Sequence, residues 1–149
     1  MGEKVTVPDW DDYFLGIANA VSRRAQCTRR RVGAVLVLDR RIIATGYNGA
    51  ASGQPSCLEG ACPRGALDYD QVPGLGDYDR PGTPGFCIAI HAEVNALLFA
   101  TRDTSGASAY ITDQPCPGCR KALAEAGIVR AVWPAGVLDA EGLLDWTVS

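Results

Sequence analysis

Two short segments of this sequence carry side chains suited to metal chemistry. His91 and Glu93 form a His-x-Glu triplet, and residues 115–119 read Pro-Cys-Pro-Gly-Cys. One neutral imidazole and the thiolates of Cys116 and Cys119 fill three positions of a tetrahedral Zn²⁺ with a net charge near zero, which leaves the fourth for water. A metal bound in this way acidifies that water toward neutral pH. The pattern therefore predicts a catalytic zinc site.

Each half of the pattern also has an ordinary structural interpretation. A Cys-x-x-Cys pair is common in structural zinc sites and redox motifs. A single histidine is more often a hydrogen-bonded core residue than a metal ligand. Here His91 is the only histidine in the chain, and Glu93 and Pro115 complete the pattern. The combination favours catalysis over either structural interpretation.

The surrounding pattern predicts the elements that position these segments. Helical spacing of apolar residues, short apolar runs and turn residues distinguish helices from strands. Asp9 is the predicted N-cap of the first helix. The predicted helices cover 9–26, 90–102, 117–126 and 142–146, and the predicted strands cover 34–38, 42–45, 109–112 and 128–133. This order predicts an α/β fold, a three-layer α/β/α sandwich with a central mixed sheet.

Both motifs lie where a strand or loop leads into a helix, and helix N-termini favour thiolates. Between the first hairpin and the second helix, residues 46–85 are rich in Gly, Pro, Asp and Ser and show no periodicity. A loop of this length in a compact domain is usually functional or held by other contacts. We expect residues 1–149 to form a single zinc-dependent domain, with a zinc-tied loop at about 46–87.

Composition narrows the class of protein. The 149 residues suit one domain, and a net charge of −3 disfavours binding to duplex DNA or long RNA. No apolar run approaches the ~18 residues of a membrane span, and the N-terminus does not read as a secretory signal. The sequence predicts a cytoplasmic protein that binds neither a nucleic acid polymer nor a membrane. Six cysteines in a reducing compartment indicate metal binding.

The sequence resembles the deoxycytidylate (dCMP) deaminases over nearly its whole length. His-x-Glu followed by Pro-Cys-x-x-Cys is the signature of zinc-dependent nucleobase deaminases. The Gly-Tyr-Asn-Gly of 46–49 and the His-Ala-Glu-Val-Asn-Ala of 91–96 are the more specific matches. Further matching stretches are 10–14, 27–35, 57–62, 112–119 and 126–128. The resemblance implies a cytidine-deaminase-like fold, zinc, conversion of dCMP to dUMP, homohexamers, and regulation by dCTP and dTTP.

The resemblance also implies roles for individual residues. Glu93 is expected to carry a proton from water to the pyrimidine ring nitrogen and then to the departing ammonia. Asn48 is expected to bind the sugar hydroxyl, the backbone N–H of Ala92 the pyrimidine carbonyl, and the carbonyl of Thr112 or its neighbour the amino group. Asp113 departs from the His or Leu of the family and places a negative charge near the pocket mouth.

The four remaining cysteines predict a second, structural zinc. A closed tetrahedral zinc site needs four ligands, which is the number of cysteines left over, and a metal bound there would close the long loop. Relatives that carry a second zinc have ligands matching Cys27 and Cys57, whereas Cys62 and Cys87 occupy positions that vary. Ordinary buried thiols are the alternative. The predicted ligands are Cys27, Cys57, Cys62 and Cys87.

Several interpretations stay open at this stage. The chain acts on dCMP, or on CMP, cytidine or another aminated base, because a fold does not fix a substrate. A non-catalytic zinc-binding interaction domain is the alternative outside the enzymes, although such a site needs no Glu93. Arg29–Arg31 are either a solvated run or contacts to nucleotide phosphate and thiolates. Phe99 is either a core residue or, with Asn95, part of a subunit contact.

Overall fold

A computed structural model of the chain describes residues 4–71 and 78–147. Within these ranges lie four α-helices and five β-strands, with three short 3₁₀ turns between 57 and 71. In chain order the elements are α1 (Trp10–Ser22), β1 (Gly33–Leu38), β2 (Arg41–Tyr47), α2 (Ala92–Leu98), β3 (Ser108–Ile111), α3 (Pro117–Glu125), β4 (Arg130–Trp133), β5 (Gly136–Asp139) and α4 (Ala140–Leu143).

The strands form one mixed sheet in the order β2-β1-β3-β4-β5. Only β3 and β4 run parallel, and the other neighbours are antiparallel. Gly33 at the start of β1 lies opposite Tyr47 at the end of β2, and Ala34 lies opposite Ile111 at the end of β3. The ends of β2 and β3 therefore meet at one edge of the sheet, where the chain also enters β1.

Helices cover both faces of this sheet. Alternate residues of a strand point to opposite faces, so Val35 and Val37 pack against Phe14 and Ala18 of α1. Their neighbour Leu36 belongs to the other core, which includes residues of α2, α3 and α4. The predicted three-layer α/β/α sandwich around a mixed sheet is confirmed, and Asp9 caps α1 by accepting a hydrogen bond from the Asp12 N–H at 2.8 Å.

The main difference from the predicted elements is β5, which the sequence pattern did not indicate. Its residues alternate between half-buried and exposed, and Val137 is 53% exposed, because β5 is an edge strand that follows β4 through a tight turn. The final helix consequently lies at Ala140–Leu143 rather than 142–146. Residue 90, predicted to be helical, is extended, because Ile90 pairs with Gly49 in an isolated bridge.

The side chain of Arg120, on α3, helps to fix the position of this helix. It is charged and yet almost fully buried, at 1% exposure. The guanidinium donates hydrogen bonds to the carbonyls of Leu143, Gly142 and Asp145. Carbonyls at the end of a helix lack intrahelical partners, so these bonds join α3 to the end of α4. In the described ranges no helix has the length and apolar character needed to cross a membrane.

Candidate active site

The start of α2 and the start of α3 bring the predicted zinc ligands together. His91 is the N-cap of α2, Cys116 is the N-cap of α3, and Cys119 lies in the first turn of α3 behind Pro117. Proline suits this first helical position because its fixed φ fits the helix and its missing N–H is not needed there. All three ligand side chains therefore project from helix starts at the same edge of the sheet.

The distances within this group fit a tetrahedral zinc ion. The Nδ1 atom of His91 lies 3.2 Å from the Sγ atom of Cys119 and 3.5 Å from that of Cys116. Ordinary zinc–ligand bonds at tetrahedral angles would separate such atoms by about 3.5 Å. Among the residues that the structure describes, this is the one group of three or more His, Cys, Asp or Glu ligand atoms within 4.8 Å of one another.

The ionisation of these three side chains is also consistent with binding of a cation. A hydrogen bond from Cys119, helped by His91, lowers the pKa of the Cys116 thiol to about 3 against the effect of burial. The same hydrogen bond to Cys116, together with burial, raises the pKa of Cys119. The Cys116 sulfur in turn raises the pKa of His91. Without a metal these ligands share protons, and a divalent cation takes the place of those protons.

Glu93 lies beside this group, on the first turn of α2, and its side chain is 4% exposed. Burial raises the pKa of its carboxyl group above the ordinary range, although His91 opposes the shift. The carboxyl is also in hydrogen-bond contact with Cys119. A carboxyl group with a raised pKa can both accept and donate a proton near neutral pH, which suits general acid–base chemistry.

Tyr78 is part of the site although no sequence pattern indicated it. Its ring stacks on the His91 imidazole with centroids 5.5 Å apart and an interplanar angle of 27°. Its hydroxyl oxygen lies 4.0 Å from the Cys116 Sγ atom. Burial, followed by the charge of Cys116, raises the pKa of Tyr78 to about 12, so the hydroxyl is protonated at neutral pH. Residues 46–85 have no periodicity from which this position could be predicted.

The three predicted substrate contacts lie near the same sheet edge. Asn48 is buried, and its side chain accepts from the Val32 N–H at 2.8 Å and donates to the Arg30 carbonyl at 2.7 Å. Ala92 is the first residue of α2, where a backbone N–H has no intrahelical acceptor. Thr112 follows β3, and its N–H and hydroxyl both bond to Gly33. Their roles toward substrate stay predictions.

Asp113 is not an isolated negative charge, as the sequence suggested, because it forms an ion pair with Arg30. The neighbouring arginines bond to backbone carbonyls. Arg29 donates to the Arg64 carbonyl at 3.3 Å, and Arg31 donates to the carbonyls of Arg23 and Ala25. Arg29 and Arg31 are therefore not a simple solvated run, whereas Arg30 has an exposed guanidinium that pairs with Asp113.

The four remaining cysteines lie in one region, but the structure does not draw them into a ligand group as tight as that of His91. Their sulfurs are surrounded by hydrogen-bond donors: the N–H groups of Arg29 and Arg30 both lie 3.4 Å from the Cys27 Sγ atom. The Thr28 hydroxyl lies 3.2 Å from the Cys57 Sγ atom. Cys62 and Cys87 are in hydrogen-bond contact with each other.

The mixed sheet and the one-histidine, two-cysteine site at two helix starts define a zinc-dependent hydrolytic deaminase with a cytidine-deaminase-like fold. The sequence profile described as the cytidine and deoxycytidylate deaminase zinc-binding region matches residues 8–135. The chain belongs to that family.

Individual relatives agree with this assignment. The chain is 50% identical over 128 residues to the deoxycytidylate deaminase of Mycobacterium phage D29, covering 85% of this chain and 95% of the relative. It is 36% identical to the deoxycytidylate deaminase of Enterobacteria phage T4, covering 80% and 74% of the two chains. The apo crystal structure of the dCMP deaminase from cyanophage S-TIM5 superposes with a TM-score of 0.63 at 26% identity, covering 86% and 84%.

Proposed function

We propose that this protein hydrolyses dCMP to dUMP and ammonia. The observation that carries the proposal is the 50% identity to a deoxycytidylate deaminase across 95% of that relative's length. The cyanophage S-TIM5 dCMP deaminase has also been crystallised in complex with dCMP and dUMP. That structure matches this chain with a TM-score of 0.60 at 27% identity, covering 83% of this chain and 79% of the other. The buried Glu93 beside three suitable zinc ligands supplies the groups that such a reaction needs.

His91, Cys116 and Cys119 would hold the zinc ion, which when bound supplies acidified water as the nucleophile. Glu93 takes up the proton released during attack and delivers it to the pyrimidine ring nitrogen. Glu93 then takes the second proton of the attacking water from the new hydroxyl group on the ring carbon and delivers it to the amino group, so that the carbonyl forms and ammonia departs. The Ala92 N–H and the Thr112 carbonyl hold the base on either side, and Asn48 holds the sugar. Fixed donors and acceptors of this kind keep the ring carbon in line with the nucleophile.

The first expected result is a preference for the 5′-monophosphate. Arg30 lies close enough to affect the pKa of His91, and its exposed guanidinium is paired only across the site mouth with Asp113. An anionic phosphate can exchange with that carboxylate, since both prefer an arginine partner. A panel of cytosine, cytidine, CMP, dCMP and dCTP, followed by ammonia release, should give the highest kcat/KM for dCMP.

The same panel distinguishes the alternatives. Equal kcat/KM for cytidine and dCMP would contradict phosphate recognition and would favour a nucleoside deaminase. A preference for CMP would indicate that the site recognises the ribose hydroxyl. Arg30→Gln should raise KM for dCMP and leave KM for cytidine unchanged. The matched change is Arg102→Gln, at an exposed position in the loop after α2, and it should alter neither KM.

We also propose a second, structural zinc held by the four cysteines outside the catalytic group. Backbone N–H groups directed at sulfur stabilise thiolates, and Cys27 receives two of them. Burial opposes ionisation of Cys62, but hydrogen bonds from the amides of Ile88, Gly65 and Arg64 and from Cys87 together lower its pKa. All six cysteines are free thiols, so disulfides do not use them. The proposed ligands are Cys27, Cys57, Cys62 and Cys87.

Metal analysis of the purified protein should give about two zinc atoms per chain. Cys62→Ser should reduce this to about one and lower the unfolding free energy by roughly 3 kcal/mol, because a loop of about 40 residues loses its closure. For a chain of this size that corresponds to about 6–12 °C in Tm. One zinc per wild-type chain, with Cys62→Ser unchanged in Tm, would show that these are ordinary buried thiols.

We further propose that subunits associate through the end of α2, with a hexamer as the predicted state. Phe99 is 67% exposed and Leu98 is 65% exposed, so the alternative that Phe99 is a core residue is wrong. Both line a cavity of about 430 Å³ beside β2, which does not include the zinc ligands. Light scattering at micromolar concentration should give a multiple of the chain mass, and Phe99→Glu should reduce it toward the monomer.

Regulation and location remain proposals that rest on the family. We propose dCTP as an activator and dTTP as an inhibitor, tested by adding each to the dCMP assay. The six free thiols support the cytoplasm as the compartment, because reduced cysteines persist there.

A further inference from the structure

Tyr78 contacts two of the three proposed zinc ligands at the same time. Its ring stacks on the His91 imidazole at 5.5 Å, and its hydroxyl oxygen lies 4.0 Å from the Cys116 Sγ atom. A Cβ atom built on Gly118 would lie 3.8 Å from the same hydroxyl, so the phenol also rests on the first turn of α3. One side chain from the loop therefore bridges the helix starts that carry the ligands.

The backbone of Tyr78 is held although it belongs to an irregular segment. Its carbonyl accepts a hydrogen bond from the Cys87 N–H at 2.8 Å. Between these residues the Phe86 N–H bonds to the Thr83 carbonyl at 3.2 Å, and the Thr83 hydroxyl bonds to the Arg80 carbonyl at 2.8 Å. The segment thus folds back on itself shortly before His91, which fixes the ring relative to the imidazole.

We propose that Tyr78 is a positioning residue of the zinc site, which holds the His91 ring by stacking and donates its hydroxyl hydrogen bond to the Cys116 thiolate. A thiolate ligand offers only acceptor capacity, so the phenol is the donor in this pair. Such outer contacts orient metal ligands and change the electron density on sulfur, and their loss typically costs about 10–100-fold in metal affinity or activity. The inference rests on the proposed zinc site.

Two substitutions separate the hydroxyl from the ring. Tyr78→Phe keeps the stacking and removes the donor, whereas Tyr78→Ala removes both. Tyr13→Phe is the matched control, because Tyr13 lies on α1 at the opposite face of the sheet and makes edge-to-face ring contacts with Trp10 and Phe14. Each full-length protein is prepared with Zn²⁺ for affinity measurement by chelator competition, and with Co²⁺ for absorption spectra without substrate. Both readouts are taken as differences from the wild type, because the proposed four-cysteine site is common to all the proteins.

The expected zinc affinity is about 10-fold weaker for Tyr78→Phe and about 100-fold weaker for Tyr78→Ala. The thiolate-to-cobalt charge-transfer band should move to lower energy in Tyr78→Phe, because a thiolate without its donor is a stronger electron donor. Tyr13→Phe should match the wild type in both readouts. The proposal is overturned if both Tyr78 variants keep wild-type affinity and band position, including the case in which only KM for dCMP rises.

These readouts do not depend on the identity of the substrate. If the protein proves inactive on dCMP, the proposed reaction fails while the affinities and cobalt spectra still report on Tyr78. If the dCMP assay succeeds and both Tyr78 variants keep the wild-type zinc affinity and cobalt spectrum, the role of Tyr78 fails and the proposed reaction stands. The two failures are therefore distinguishable.

Discussion

Glu93→Gln is expected to lower kcat by about 10³-fold while the zinc content stays at the wild-type level. The amide has nearly the same shape as the carboxyl group and still fits the buried position, but it cannot exchange a proton. Removal of a general acid–base group typically costs about 10²–10⁴-fold, and Glu93 is proposed to serve more than one proton transfer. The raised pKa of its carboxyl, caused by burial, suits that group to alternate between the two protonation states.

The measurement is steady-state ammonia release from dCMP together with metal analysis of the same preparation. Glu141→Gln is the matched control, since Glu141 also lies in the first turn of a helix but is exposed on α4. It should keep wild-type kcat and zinc. If Glu93→Gln retained more than about a tenth of the wild-type rate, the assignment of Glu93 as the proton carrier would be wrong.

Cys119→Ala is expected to remove both the catalytic zinc and the activity. Cys119 is 2% exposed and its Sγ atom lies 3.2 Å from the His91 Nδ1 atom, so no solvent-exposed group can take its place without rearrangement. Two remaining ligands do not hold Zn²⁺ in the three-ligand geometry of catalytic sites. Without the metal no acidified water forms, and we expect a loss of at least about 10³-fold.

The two variants differ in how they respond to metal. Wild-type protein stripped by a chelator should recover its activity when Zn²⁺ is added back, whereas Cys119→Ala should not. Metal analysis should show one zinc fewer per chain than the wild type, and thermal unfolding should occur at a lower temperature, because a bound metal stabilises the folded state. A Cys119→Ala protein with full zinc content would refute the ligand assignment.

The sequence was sufficient where the relevant interactions are local. His91 and Glu93 are separated by one residue, so the start of a single helix fixes both, and Pro117 marks the start of the other helix by its own backbone restriction. The apolar runs of β1 and the helical spacing of α1 predict their elements for the same reason. Helix boundaries were less well predicted, because a tertiary pair such as Gly49 with Ile90 keeps residue 90 extended and delays the start of α2.

Edge and surface positions were harder to predict from the sequence. No residue of the short strand β5 is fully buried, because half-buried and exposed positions alternate along it, and the strand is identified by its pairing with β4. Phe99 is apolar and follows a core helix, yet it is exposed because α2 ends at Leu98 and the chain turns there. Hydrophobicity alone does not distinguish a core residue from an exposed residue that contacts a partner.

The sequence by itself determined the residue types of the zinc group, the family and the layered α/β architecture, because each depends on motifs or on periodicity within one element. The tertiary structure alone decided that Tyr78 covers His91 and that Asp113 pairs with Arg30. Both contacts join positions from different segments, and one of them begins in a loop without periodicity. Their formation depends on how the sheet edge gathers those segments, which no local pattern in the chain encodes.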